Sequence, residues 1–428
     1  MMKNLIIKNV RIVDAGNDFF GQVTVRGGLF HDVVPYSQEQ VMIRMYGKSI
    51  EKHDSFCGDD YIIIDGGGAQ SVLMPAFTDL HAHFREPGFT HKEDIESGCR
   101  AAVKGGYTTV VLMANTNPPC SSMDTVNYVI NRAKEIGLTD VFQAVSITDG
   151  MKGESVSHLK SLDDTIKFIS DDGKGVMNDL LMEEALSMSK DKGFIVMSHA
   201  EDHSFSATDM RMAENNMTKR DIEACIKTGG RLHLAHVSTK EAMEMINYAK
   251  AIKANITCEV TPHHIYATDE IVYRVNPPLR KADDVLSLIK AIIDRNVDAI
   301  STDHAPHTAA DKAGGAPGIS GIETAFQLCL TKLVKECGSI SLNRLSELMS
   351  LNPSRIAGVN KGLIKRGFEA DFVIVDIDKS SKIDVSGFAS KGKNSPFDGK
   401  QVYGEILMTV KKGNIVYKNN ERNDLKIC

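Results

Sequence analysis

The sequence predicts an α/β protein: a (β/α)8 TIM barrel carrying a small β-sandwich domain built from both termini. Three observations predict it. Between residues 73 and 304, apolar β-branched runs alternate with amphipathic segments, the pattern of βα units around a parallel sheet. Short alternating strands with Gly-bearing turns occur at both ends of the chain, too few at either end for an independent sheet. The chain has 428 residues, whereas such a barrel needs about 250, so a second and smaller unit has to be accommodated.

In chain order, Leu5-Ile6-Ile7, Val10 to Val13 and Val23 to Val25 read as strands, and residues 36–60, polar and rich in turn formers, as a loop or insertion. Eight barrel strands then end at Leu80-His81, Val110 to Ala114, Val141 to Ile147, Ile166 to Ser170, Phe194 to Ser198, Leu232 to His236, Ile256 to Val260 and Val297 to Ser301. Helices are read between them at Lys92 to Lys104, which meets the stop signal Gly105-Gly106, and at Leu180 to Lys190, Lys240 to Lys250 and Asp283 to Asp294. Strand patterns return at Phe372 to Val375 and Leu407 to Gly413. The expected organisation is a barrel over 73–352 and a composite β-domain over 1–72 and 353–428.

Hydrophobic residues at 42% and charged residues at 25% favour neither a disordered nor a membrane chain and make a sizeable core available. The net charge of −6 gives no global attraction for nucleic acid or an anionic membrane, so an anionic substrate must be met by local charges. No apolar run reaches about 18 residues, and Lys3, Lys8 and Arg11 interrupt the N-terminal one, so the expected address is the cytoplasm. Eight cysteines without a CxxC pair read as reduced, mostly buried thiols.

Catalytic groups of a barrel sit at the C-terminal ends of its strands, and histidines and carboxylates gather there. His81 and His83, two apart on the first strand, share a face as two ligands of one metal would. Asp172 follows the fourth strand, His199 and His236 close the fifth and sixth, and Asp303 ends the eighth. Such donors suit Zn²⁺ or a similar divalent ion. A single catalytic metal needs only three protein ligands, so six suggest two metals with a shared carboxylate and a bridging hydroxide as nucleophile. Asp172 is the bridging candidate; a carboxylated Lys167 is its rival, and only one of Asp171 and Asp172 should face the mouth. His233 is expected to turn away and pack against a helix, and His263, His264 and His304 to hydrogen-bond a ligand rather than bind metal.

Arg85 keeps to the face of His83 and can fork a carboxylate. Asn115, Asn276 and His307 lie within reach of the same pocket, and the Gly-rich residues 309–321 read as a mobile rim or lid.

The motifs HAHFREPG, MANT, DDG, SHAED, LAHVST, EVTPHH, NPPLR, STDHAPHTAADKA and KGKNSPFDG, in that order over nearly the whole chain, resemble the amidohydrolase superfamily, and within it the dihydroorotases of the bacterial class I type. Ala76 and Ala114 depart from a Gly and a Pro usual in these motifs, and neither removes a ligand. The resemblance implies that His81, His83, Asp172, His199, His236 and Asp303 hold the metals. It implies that Arg85, Asn115, Asn276 and His307, with the Pro317-Gly318 backbone close by, bind substrate. The implied activity is the reversible cyclisation of N-carbamoyl-L-aspartate to L-dihydroorotate in pyrimidine biosynthesis, with Asp303 as general acid and base and two Zn²⁺ per chain. A homodimer and association with a transcarbamoylase are the partners it brings into view. Three alternatives stay open: a hydantoinase or allantoinase with the same barrel, a catalytically silent subunit supporting a transcarbamoylase, and a structural metal protein.

Overall fold

The computed structural model describes residues 4–41, 61–67, 71–420 and 425–427. Five strands come first: β1 (Asn4–Val13), β2 (Asp18–Arg26), β3 (Leu29–Pro35), β4 (Tyr61–Asp65) and β5 (Ser71–Pro75). Eight follow in the centre: β6 (Phe77–Ala82), β7 (Tyr107–Leu112), β8 (Asp140–Gln143), β9 (Phe168–Ile169), β10 (Ile195–Ser198), β11 (Leu232–Leu234), β12 (Ile256–Val260) and β13 (Ala299–Ile300). The C-terminal part adds β14 (Phe372–Lys382), β15 (Gln401–Lys411), β16 (Asn414–Lys418) and β17 (Lys426–Ile427). Most of the segment expected to be a loop at 36–60 lies outside the described residues.

The central eight strands are parallel and close on themselves. β6, β7 and β8 form one run and β9 to β13 another. Parallel bridges Val145↔Ile169 and Ala82↔His304 join the two runs into a barrel. Regular pairing ends one to four residues earlier than the apolar runs suggest in β7, β8, β9, β11 and β13, and at or past the expected residue in β6, β10 and β12. Strand residues Leu80, Val111, Phe168, Ile195, Met197 and Ala299 form their own apolar cluster, separate from the larger core between strands and helices. The helix expected from Lys92 starts at Ile95, since Asp94 accepts from the Ser97 amide and Ser97 caps the Asp94 amide in return. Among the described residues the 19-residue helix Met210–Thr228 is the longest, and no helix is long and apolar enough to cross a membrane.

The terminal strands form one forked nine-stranded sheet. β1 pairs antiparallel with β2 along one edge; along the other it pairs in parallel first with β4 and then with β5, the change falling at a bulge where Asn9 has φ 55°. β5 pairs antiparallel with β14, Leu73 opposite Ile374, and so stitches the two ends of the chain together. Leu5, Ile7, Val23, Ile64, Phe372 and Met408 are buried between its parts. This arrangement removes the shortage of strands at either terminus.

Candidate metal-dependent active site

The barrel mouth collects its side chains from the residues just beyond the strand ends. His81 lies near the end of β6 and His83 beyond it, Asp172 three residues past β9, His199 directly after β10, His236 two past β11 and Asp303 three past β13. Arg85, His236 and Asp303 adopt positive φ of 60°, 35° and 45°. For residues with a side chain that backbone is strained, and the fold maintains it where these groups turn into the mouth.

His81 Nε2 stands 3.2 Å from Asp172 Oδ1, and His83 Nε2 3.2 Å from Asp303 Oδ1 and 3.5 Å from Asp172 Oδ2. His199 Nδ1 is 3.2 Å and His236 Nε2 3.6 Å from Asp172 Oδ1. Two groups of ligand atoms fall within one ion's reach, His81 with His83 and Asp303, and His81 with Asp172 and His236. Buried His81 Nε2 and Asp172 Oδ1 have no hydrogen-bond partner, although such atoms are costly to leave unsatisfied. The nitrogens on the far side of three rings are tied down instead: His81 Nδ1 to Glu259 Oε1, His83 Nδ1 to Asn115 Oδ1 and His199 Nε2 to Glu201 Oε2, each at 2.9 Å. Those bonds aim the opposite nitrogens at Asp172 and Asp303, as the outer contacts of metal-binding histidines do. The donor set therefore fits divalent ions of borderline hardness.

The electrostatics agree. Burial alone would raise the Asp172 and Asp303 carboxyls, but His81, His199 and His236 around the first, and His83, His81 and His236 around the second, hold both below the usual carboxylate range. Burial disfavours a charged His199, yet Asp172 and Glu201 lift its pKa to about 9. The carboxylates thus impose a field that favours positive charge at this spot.

Above the cluster is a cavity of about 190 Å³. Every sequence-derived site residue lines it except His81, which is buried at 1% exposure, and Gly173 and Ala305 are added. Arg85 Nη2 lies 3.3 Å from His307 Nε2, and burial together with Arg85 pushes the His307 pKa down to about 3, so the ring is neutral. Asn276 Nδ2 donates to Glu201 at 2.8 Å, and Asn115 Nδ2 to Asp172 at 3.2 Å, so both asparagines also brace the cluster. The rim expected to be a mobile lid contains a capped helical turn, Ala309–Ala313, and Lys312 Nζ donates to the carbonyls of Arg274, Ala316 and Gly318.

Three expectations are corrected. Lys167 is exposed, preceding β9 at the strand end away from the mouth, so it cannot rival Asp172; Asp171 turns to the Thr148 amide, leaving Asp172 alone of the pair facing the histidines. His233 does not pack against a helix: its Nε2 meets Glu259 Oε2 at 3.0 Å and its Nδ1 Thr257 Oγ1 at 2.8 Å. Strand alternation does not extend to His236, because β11 ends at Leu234 and His236 reaches the mouth through a left-handed turn rather than along the strand. His264 and His304 bond to Thr261, the Pro277 carbonyl and the Gly321 amide instead of to a histidine or carboxylate of the cluster. Sequence reasoning missed Glu259, Glu201 and Asn394, although each sits inside one of the quoted motifs.

Residues 72–416 match the amidohydrolase family. The chain is 50% identical over 417 residues to the dihydroorotase of Clostridium botulinum (strain Eklund 17B / Type B), covering 97% of this chain and 99% of that one. The chain belongs to the amidohydrolase family, among its dihydroorotases. The dihydroorotase of Aquifex aeolicus is 36% identical over 98% of this chain and all of its own length. Two solved structures share the fold across nearly the whole chain: dihydropyrimidinase from Brevibacillus agri, with TM-score 0.80 and 22% identity over 97% of this chain and 95% of that one, and L-hydantoinase from Arthrobacter aurescens, with TM-score 0.80 and 24% identity over 98% and 96%.

Proposed function

We propose that this amidohydrolase interconverts N-carbamoyl-L-aspartate and L-dihydroorotate, a step of pyrimidine biosynthesis, with two Zn²⁺ held by His81, His83, Asp172, His199, His236 and Asp303. The observation that carries the reading is Arg85 lining the same small cavity as the His and Asp cluster, in a chain half identical to a dihydroorotase. Bound there, zinc lowers the pKa of water and polarises a carbonyl oxygen. Asp172, whose Oδ1 faces His81, His199 and His236 and whose Oδ2 faces His83, would be the carboxylate held in common by the two ions. Asp303, ionised because its pKa is held low, accepts the proton of the attacking water in the hydrolytic direction and delivers it to the ring nitrogen as the amide bond breaks. Arg85, Asn115, Asn276 and neutral His307, with the Pro317-Gly318 backbone, hold the ring and its carboxylate in line, converting binding into orientation.

The reading places the reaction in the cytoplasm. It includes a homodimer and contact with a transcarbamoylase, the class of enzyme that makes N-carbamoyl-L-aspartate. Turnover of dihydroorotate, hydantoin and allantoin by one metal-analysed preparation tests the activity. Dihydroorotate is expected to be preferred, with about two metals per chain, and Asp303→Asn to keep metal but lose at least about a hundredfold in both directions. Preference for hydantoin or allantoin, or a fully active Asp303→Asn variant, overturns the reading.

A further inference from the structure

The C-terminal residues 388–397 leave the terminal sheet and lie against the barrel mouth. Glu93 accepts from Ser390 Oγ and from the Lys391 amide at 3.1 Å, and Glu323 accepts from the amides of Ala389 and Ser390 at 3.0 Å each. Two barrel carboxylates thus seat the segment before it presents Asn394. The fit is close. A Cβ on Gly392 would come 2.5 Å from Ser320 Oγ and 2.6 Å from Pro306 Cβ.

Asn394, 8% exposed, uses its whole side-chain amide on the cavity wall. The His307 amide and Ser320 Oγ donate into Oδ1 at 2.8 and 2.7 Å, while Nδ2 donates to the carbonyls of Ala305 at 3.1 Å and Gly318 at 3.0 Å. Ala305, His307 and Gly318 all line the cavity. They come from two stretches that touch at the bridge His304↔Ile319, where Gly318 has φ 135° and a Cβ on it would lie 2.7 Å from Ala305 Cβ.

We propose that Asn394 is the positioning residue for the wall of the cavity that carries His307 and Gly318; its consequence for substrate rests on the function proposed above. One planar amide with two donors and two acceptor sites fixes both stretches at once, which a hydroxyl or a carboxylate cannot do. Aspartate at this position would set a second acceptor against two carbonyl oxygens. Asp303 is anchored separately, because Thr302 donates to Asp79 from its amide at 2.9 Å and from Oγ1 at 2.5 Å. Loosening the wall therefore disturbs the groups that hold the ring and its carboxylate more than the proton transfer.

Kinetics on dihydroorotate, metal content and amide exchange of residues 304–320 are measured for wild type, Asn394→Asp, Asn394→Ala, His307→Ala and the Asn394→Ala/His307→Ala pair. Both Asn394 variants are expected to raise KM at least about tenfold, with kcat within about threefold and metal content unchanged. In the His307→Ala background the added rise in KM falls below about threefold, because the two residues act as a unit. Amide exchange quickens in 304–320 and not elsewhere. Unchanged KM, or the same rise with and without His307, overturns the proposal. Should an Asn394 variant be too unstable for kinetics, exchange decides: quickening confined to 304–320 supports positioning, and uniform or unchanged exchange defeats it. Failure of the wild type on dihydroorotate would remove the proposed activity, and the exchange result would still decide the role of Asn394.

Discussion

A carboxylate buried without water is costly unless its oxygens are bonded, and Glu259 spreads its charge over His81, His233 and Ser301 Oγ, the last at 2.5 Å. Burial would raise its pKa, and His233 and His81 hold it down. An ionised Glu259 accepts from His81 Nδ1–H and so leaves Nε2 as the nitrogen facing Asp172. In Glu259→Gln one oxygen becomes an NH2 that opposes these donors, and the His81 tautomer loses its brace. Metal affinity is expected to fall about 10- to 100-fold, with activity largely restored at saturating metal; chelator competition against wild type measures it, and an unchanged affinity would reject the tautomer role. His81, His83 and Asp303 were legible because a metal demands particular residue types at strand ends. Glu259 was not, because a buried acid inside an apolar strand leaves no spacing signal, and its partner His233 was misread by an alternation rule that ceases to apply two residues early.

At the scale of elements, Gly105-Gly106 marks the end of helix Ile95–Lys104 as its sequence suggests, but the two glycines are required for different reasons. Gly106 has φ 91°, whereas Gly105 keeps an ordinary right-handed conformation at φ −79°. A Cβ on Gly105 would lie 2.2 Å from the Ile322 carbonyl oxygen, a backbone atom that cannot swing aside. At Gly137, which ends helix Met123–Ile136 with φ 73°, the nearest atom to an added Cβ is 3.8 Å away. Gly137→Ala should therefore cost about 1 kcal/mol from backbone strain alone, and Gly105→Ala about 2–3 kcal/mol from overpacking. Urea unfolding of both variants checks the order; a larger loss at Gly137 would mean that helix and Ile322 part easily. Helix ends were readable to within a few residues, since caps and glycines are local. The close approach to Ile322 was not, because it joins positions more than two hundred apart in sequence.

The whole molecule depends on how the terminal sheet is fastened to the barrel, and an ion network buried between them makes one such connection. Lys361, 3% exposed, donates to Thr109 Oγ1 on β7 at 2.9 Å and to Asp140 on β8 at 2.6 Å, and pairs with Asp371 beside β14 at 2.7 Å. Lys411 on β15 also reaches Asp140, at 2.8 Å. The eight-strand count and the joining of the two termini could be read from hydrophobic pattern, whereas the partners of Lys361 at Thr109 and Asp140 lie more than two hundred residues away and leave no local spacing signal. Lys361→Ala leaves the buried Asp371 carboxylate with the Lys412 amide but no counter-ion, and is expected to cost about 3–5 kcal/mol at pH 7. Burial alone would raise the Asp140 pKa, but Lys361 and Lys411 hold it below the ordinary carboxylate value of 3.8. Its stabilising contribution is therefore present above that value and is lost as pH falls through the lowered one. Burial opposes the Lys361 charge, yet Asp371 and Asp140 raise its pKa above 10.5, so its contribution is complete below 10.5 and disappears only at higher pH. The stability gap between wild type and Lys361→Ala should stay level from about pH 5 to pH 10 and narrow as the pH is lowered toward about 3. Urea unfolding across that range measures it. A gap as wide at pH 3 as at pH 7 would show that Lys361 contributes packing rather than charge to the seam between the two halves.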